Sequence, residues 1–474
     1  MTGSHATYNA GPGKTYATLT AVPWLSLAPG DVVNIFYQAT PYATKIGIQA
    51  VGTAAQPIVI NGVTDANCNR PIITGENAVD STDSLAANFW AASAPTTVEP
   101  LGAIIFIWGP TQAYATSQSY ITIQNIEVTG ATSANTFTNH SGQQVNYAPG
   151  NGIYGVAVNH VTIQYDTVTG NDQGVFFNSQ DTARTSQYVT LRGNDIYGNG
   201  IANQDELHNI YVQGVRSLYE GNYIGSELSG AQGSSLKDRS SGPVIRNNYI
   251  VATARAIDMV DSEESPTVLD DPLYDNGWVY GNVIVNNCAV GICSGDLIHW
   301  GGDSGTTANY HNGPLFFYYN TVIVENAPAS SGFQFGIFDM PTSQQSVDVA
   351  DNIIAFLSNG AGNTMGLGIC CGTINLIDAN WITSGYATGA SGNTITLNKP
   401  GTVLTGANPL LNADFTLSAT SGSPVLGQAT LYPTSVPNAP ADVTTLQPTD
   451  EYANTVIGVV PRPNDNDLGA YAAH

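Results

Sequence analysis

One polar position recurs through this chain with a β-branched residue fixed two places after it, and that row constrains the fold more than any other feature. Its members are Asp166, Asn194, Asn222, Asn248, Asn282, Asn320, Asn352 and Asn380, followed by Val168, Ile196, Ile224, Ile250, Ile284, Val322, Ile354 and Ile382. Successive spacings are 28, 28, 26, 34, 38, 32 and 28 residues. The runs Ile121–Gly130 and Val161–Gly170 also match without a gap at an offset of 40. A variable period around a fixed corner is the pattern of a solenoid, in which every coil keeps its strands while its loops differ in length. Asparagine suits such a corner because it tolerates left-handed backbone and its amide bonds both the turn and a stacked neighbour. The row therefore reads as a structural ladder, not as a glycosylation or sugar-binding series.

A second row gives the solenoid an inside and an outside. Ile153, Val175, Ile210, Leu236, Ile257, Ile298 and Ile337 align as inward positions, and strand side chains alternate faces. The residues after them, Tyr154, Phe176, Tyr211, Lys237, Asp258, His299 and Phe338, are then expected to face outward. Parallel rungs stack at about 4.8 Å, so this row is contiguous in space. It is aromatic at both ends and charged in the middle.

Composition narrows the partners. Twelve Lys+Arg against 36 Asp+Glu, a net charge of −24, argue against nucleic acid, which demands a basic surface. No run approaches the length of a membrane span. With so few cations, each clustered Lys or Arg is informative. The start Met1-Thr2-Gly3-Ser4-His5 shows no export signal, so a secreted or periplasmic location is an inference from the fold. Five cysteines (Cys68, Cys288, Cys293, Cys370, Cys371) allow two disulfides, one or none, and match no zinc spacing. Oligomeric state is not readable.

Several segments resemble the right-handed parallel β-helix proteins that include pectate lyases, alginate lyases and chondroitinase B. At the start these are Gly13–Leu19, Ala28–Val33 and Gly52-Thr53 with Pro57–Gly62; near the end, Asn408–Leu410, Asp414–Leu417, Gly422–Pro424 and Asp467–Tyr471. In the middle they are His208–Tyr211, Ser235–Ser240 and Ala256–Asp258. The resemblance implies an all-β fold, a single-stranded right-handed parallel β-helix (solenoid) with an asparagine ladder. One domain over 1–474 is expected, with an amino-terminal cap at 1–40, coils at 41–429, and a tail with a closing strand at 430–474. It also implies a polysaccharide-active protein, although this scaffold serves lyases, hydrolases, epimerases and adhesins alike.

The expected site lies where the outward row turns charged. A polysaccharide lyase needs a base for the proton at C5 of a uronic acid and cations or a metal to hold the carboxylate. Lys237 is the expected proton acceptor and Arg239 the charge stabiliser; Tyr211 or His208 is the expected donor to the leaving group. Asp258 is placed in the same site. Phe176, Arg255, His299 and Trp300 are expected to bind substrate. Members of the resembled group use such residues with Ca²⁺, and Asp258, Asp261 and Glu263, with Glu264 beside them, are the acids available to a cation. Negative neighbours of Lys237 weaken it as a base. Paired carboxylates, Asp258 with Asp261 or Asp238 with Asp258, keep glycoside hydrolysis open. A His/Tyr/Arg set keeps uronate epimerisation open, and a shallow aromatic strip would suit a non-catalytic binding protein.

Overall fold

In a computed structural model, residues 5–81, 102–108, 119–289, 295–329, 334–389, 394–420, 422–430, 443–453, 455–463 and 466–474 are described. Their strands form three long sheets of 13, 14 and 11 strands, ordered by successive coils except at the amino-terminal end of the 14-stranded one, and a separate two-stranded sheet. Almost every pairing is parallel: Thr190–Arg192 lies on Leu218–Glu220, and that strand on Val244–Arg246. This is the parallel β-helix expected from the ladder. Inward positions carry the core. Ile196, Ile224, Ile250 and Ile284 are fully buried one above another. Each such side chain contributes about 1.5–3 kcal/mol by leaving water.

The corner row forms as a hydrogen-bonded stack. Each Asn Nδ2 donates to the Oδ1 of the next, as from Asn222 to Asn248 (2.9 Å) and Asn248 to Asn282 (2.9 Å). The same Oδ1 accepts the backbone N–H of the preceding member, and the other Nδ2 hydrogen reaches a strand carbonyl, as from Asn248 to Tyr219 (3.0 Å). Left-handed backbone falls one residue earlier than expected. Tyr165, Gly193, Gly221, Asn247, Gly281, Tyr319 and Asp351 have φ between 53° and 66°, and this frees each ladder residue to bond along the axis. Asp166 heads the row. Burial pushes its carboxyl well above the usual range, which favours the neutral acid, close in shape to asparagine. A second, unforeseen ladder, Asn171–Asn199–Asn209, closes the next corner.

Carboxy-terminal residues pack along the outside of the coils. Leu468 and Tyr471 lie on Val283, Ile323 and Trp381, while Val443 and Leu446 cover Trp278, Tyr280 and Phe316. Gly469 (φ +86°) allows this approach, since a Cβ there would come within 2.5 Å of Thr321 Oγ1. Cys370 and Cys371 are joined to each other, Cys288 is disulfide-bonded, and Cys68 is an exposed free thiol; Cys293 lies outside the described residues. No described helix is long and apolar enough to cross a membrane.

Candidate active site

The outward row lies on the 14-stranded sheet. Tyr211 pairs with Lys237, Lys237 with Asp258, and Asp258 with His299 on successive rungs. The next rung differs from expectation. His299 pairs with Asp339, while Phe338 pairs with Ile298 and is buried in the core. Alternation therefore places a carboxylate, not an aromatic ring, at the end of the charged stretch. The strand's inward side explains two further corrections. Trp300 is fully buried, its Nε1 donating to Gly313 O and its ring stacked on His311, so it offers no face to a sugar. Asp238 points inside the coil and accepts from Tyr219 Oη at 2.5 Å, which removes it from any pair with Asp258.

Outside the sheet lies a cleft of about 640 Å³ lined by His208, Tyr211, Lys237, Arg239, Arg255 and Asp258, among others. Three of the chain's twelve cations thus meet in one place. Lys237 Nζ donates to Asp258 (3.1 Å) and to Asp303 (2.8 Å). Burial pushes the Lys237 ammonium down, but the two carboxylates outweigh it and hold it above the usual lysine value. Both carboxylates thus favour the ammonium form, which weakens Lys237 in the expected role of proton acceptor. Asp258 is buried, with one oxygen on Lys237 and the other 2.9 Å from His299 Nδ1 and 3.6 Å from Arg255. Those partners overcome its burial and hold it well below the ordinary carboxylate range.

Arg239 reaches three ways: Nε to Tyr211 Oη (2.9 Å), Nη1 to the Asp261 carbonyl (2.5 Å) and Nη2 to Asp303 (2.7 Å). Gln213 Nε2 also donates to Tyr211 Oη at 2.7 Å. Burial raises the Tyr211 phenol, with Arg239 and Lys237 opposing. His208 Nδ1 accepts the Ser234 N–H at 2.9 Å, so its proton sits on Nε2. Burial, reinforced by Lys237, pushes His208 down to about 3, and it stays neutral. Phe176 is nearly buried, stacked between Tyr154 and Tyr211 as part of a column that begins at Phe106. This column supports Tyr211 from behind and does not itself present a sugar platform.

The acids named for a cation do not converge. Asp258 is taken by Lys237 and His299, and Glu263 faces Arg239 at 3.5 Å. Asp261 is fully buried and accepts from the backbone of Asp303 (2.9 Å) and Ser304 (3.3 Å) and from the Ser304 hydroxyl. Among the described residues no group of three His, Cys, Asp or Glu is arranged to hold a metal. Each of these three carboxylates is engaged by a protein partner, so they do not together form the oxygen shell that Ca²⁺ takes. Asp303, Asp296 and Asp339 were not singled out from sequence. Asp296 binds Arg255 Nε and Asp339 lies 4.0 Å from Arg255. The only hint to Asp303 was Gly301-Gly302 before it, a turn signal without chemistry.

No sequence-family model matches the chain, and no curated protein matches it in sequence. Solved structures do. An alginate lyase from Paenibacillus sp. str. FPU-7 is similar at 14% identity and TM-score 0.44, over 83% of this chain and 99% of that one. The pectate lyase Pel9A is similar at 13% identity and TM-score 0.42, over 99% and 97%. A GH136 lacto-N-biosidase from Eubacterium ramulus is similar at 10% identity and TM-score 0.42, over 84% and 68%. The likeness is one of fold, the parallel β-helix.

Proposed function

We propose that this is a secreted polysaccharide lyase that cleaves a uronate-containing chain by β-elimination, with Tyr211 as the proton-transfer group. The carrying observation is that Tyr211 Oη accepts two N–H donors, Arg239 Nε and Gln213 Nε2, in a cleft that also holds Lys237. Two donors on one phenol oxygen stabilise the phenolate and leave the single hydroxyl hydrogen for the ligand. That oxygen takes the C5 proton as phenolate and returns it to the leaving glycosidic oxygen. Lys237, Arg239 and the Nε2–H of neutral His208 face the carboxylate, where negative charge spreads as the proton leaves. Because burial holds the phenol above its ordinary value, the phenolate is a minor form at neutral pH and its fraction keeps rising with pH, so kcat/KM should climb through the alkaline range without levelling off near neutrality.

One observation favours hydrolysis as a second reading. Asp258 and Asp339 lie on one row two rungs apart, and their surroundings push them in opposite directions: burial raises Asp339, while Lys237 and its neighbours hold Asp258 down. Carboxylates split in this way suit an acid and its partner. A panel of acidic and neutral polysaccharides, incubated with Ca²⁺ or with chelator, separates the two. Ultraviolet absorbance from an unsaturated uronate product supports elimination. New reducing ends without that absorbance replace it with hydrolysis, and binding without cleavage removes both.

A further inference from the structure

The cleft poses an electrostatic problem for any uronate reading. Its lining carries Asp205, Glu206, Asp258, Glu263, Asp296 and Asp303 against Lys237, Arg239 and Arg255, in a chain of net charge −24. Adding a further anion to such a site is unfavourable, and increasingly so as water is displaced. Exchanging one anion for another is not.

We propose that Lys237 and Arg239 form one carboxylate subsite, that Asp303 is its resident occupant, and that the substrate's own carboxylate displaces the Asp303 side chain. The inference rests on the uronate reading of the cleft and names how that substrate is admitted. Asp303 gives one oxygen to each cation, Oδ2 to Lys237 (2.8 Å) and Oδ1 to Arg239 (2.7 Å), the bridging geometry a free carboxylate would adopt. The contrast with Asp258 is instructive. The Asp258 side chain is 2% exposed and engaged by Lys237, His299, Ser234 and Arg255, whereas that of Asp303 is 30% exposed at the cleft.

The Asp303 backbone is fixed independently of its carboxylate. Its N–H and that of Ser304 bond Asp261, Gly305 N–H bonds Tyr310 Oη (3.1 Å), and His311 N–H closes the strap on Gly301 O (3.0 Å). At Gly302 a Cβ would overlap the Tyr310 ring and lie 2.6 Å from Asp261 Oδ1, so the strap is packed down tightly. A turn of the Asp303 side chain therefore vacates the subsite without opening the loop. A neutral sugar offers nothing to replace it, so the occupied subsite also selects against glycans that lack a carboxylate.

Calorimetry tests this with trimers of galacturonate, mannuronate and guluronate, each beside its carboxyl-reduced counterpart, at fixed salt. A subsite already filled weakens apparent affinity by the fraction of time it is blocked, so Asp303→Asn and Asp303→Ala should each bind at least one uronate trimer about tenfold tighter than the parent protein. The reduced trimers should show no gain, and Lys237→Met added to Asp303→Asn should abolish it. Asp303→Asn keeps the size of the side chain, so it answers the question even where the alanine variant folds poorly. Uronate binding no tighter in Asp303→Asn overturns the proposal. The two readings fail separately: elimination by the parent protein with no gain in Asp303→Asn removes only the displaced carboxylate, and a gain in affinity without elimination removes only the lyase.

Discussion

Two rows of polar residues run along this helix at one-rung intervals, one buried at a corner and one facing the cleft, and they are built on opposite principles. The corner row from Asn194 to Asn380 repeats one residue, and each member is satisfied by the members above and below it and by its own strand. The face row Tyr211, Lys237, Asp258, His299 and Asp339 repeats nothing. Its members need partners from elsewhere: Gln213, Arg239, Arg255, and Asp303 from a loop 66 residues beyond Lys237. Repetition meets a structural demand that is the same in every coil. Where a row stops repeating and recruits its partners from loops, the demand is local, set by a single cleft.

The comparison breaks most visibly at Asn248. Replacing it with Leu takes the acceptor from the Asn222 backbone N–H and removes one hydrogen bond each from Asn222 Nδ2, the Tyr219 carbonyl and Asn282 Oδ1, although Asn222 Nδ2 keeps Leu191 O and Asn282 Oδ1 keeps the backbone N–H at 248. Buried groups left unpaired cost about 1–3 kcal/mol each with partial relaxation, so a loss of about 4 kcal/mol is expected in denaturant unfolding. A loss under about 1 kcal/mol would mean that the ladder is not what holds the corner.

Tyr211→Phe sharpens the other side. The ring and its stacking on Phe176 (4.9 Å between centroids) remain, and only the oxygen is removed. Proton transfer by a placed side chain is worth about 10²–10⁴ in rate, so kcat on the polymer that serves as substrate should fall at least about 100-fold. Thermal stability should change little, because the two donors it leaves face the cleft. Retention of more than about a tenth of the rate would move the proton chemistry off Tyr211.

The two rows were not equally legible. A repeat is visible from one sequence because each coil is a copy to compare, so the ladder, the inward row and the outward row as far as His299 could be read by alignment alone. The last rung slipped by one residue because Ile337 and Phe338 are consecutive apolar residues, both buried, and spacing does not say which of them stacks on Ile298; the pairing sets Phe338 there. Single contacts have no such copies. Asp303 reaches the cleft from an irregular loop, and nothing in Gly301-Gly302-Asp303 says which strand it will meet. The surroundings of Lys237 were half legible for the same reason: Asp258 lies on the next rung of the row, but Asp303, the carboxylate that completes its pairing, comes from that loop. Trp300 follows from parity alone, since a residue next to outward His299 must face in.

The same strand carries a last and smaller contrast, between Lys237's outward partner and its inward neighbour. Asp258 meets cations and is held low; Asp238 meets only the Tyr219 hydroxyl and the Ser240 N–H, and burial pushes it up to about 6 against their opposition. Burial likewise pushes Asp351 up to about 7. Groups raised in the folded state keep protons that the unfolded chain releases near pH 4, so their contribution to stability falls as pH rises from about 4 to 7. The lowered groups Asp258 and Asp303 act in the opposite window: their contribution is present above the unfolded carboxylate value and is lost as pH falls below it. Stability should therefore peak in mildly acid solution, with the melting temperature lower at pH 8 than at pH 5. Asp238→Asn removes one proton from the upper limb. It should raise stability at pH 8 by about 3 kcal/mol relative to the parent and by only about 1 kcal/mol at pH 4.5, because about two units separate its folded and unfolded values. A parallel shift at both pH values would place the retained proton on another carboxyl.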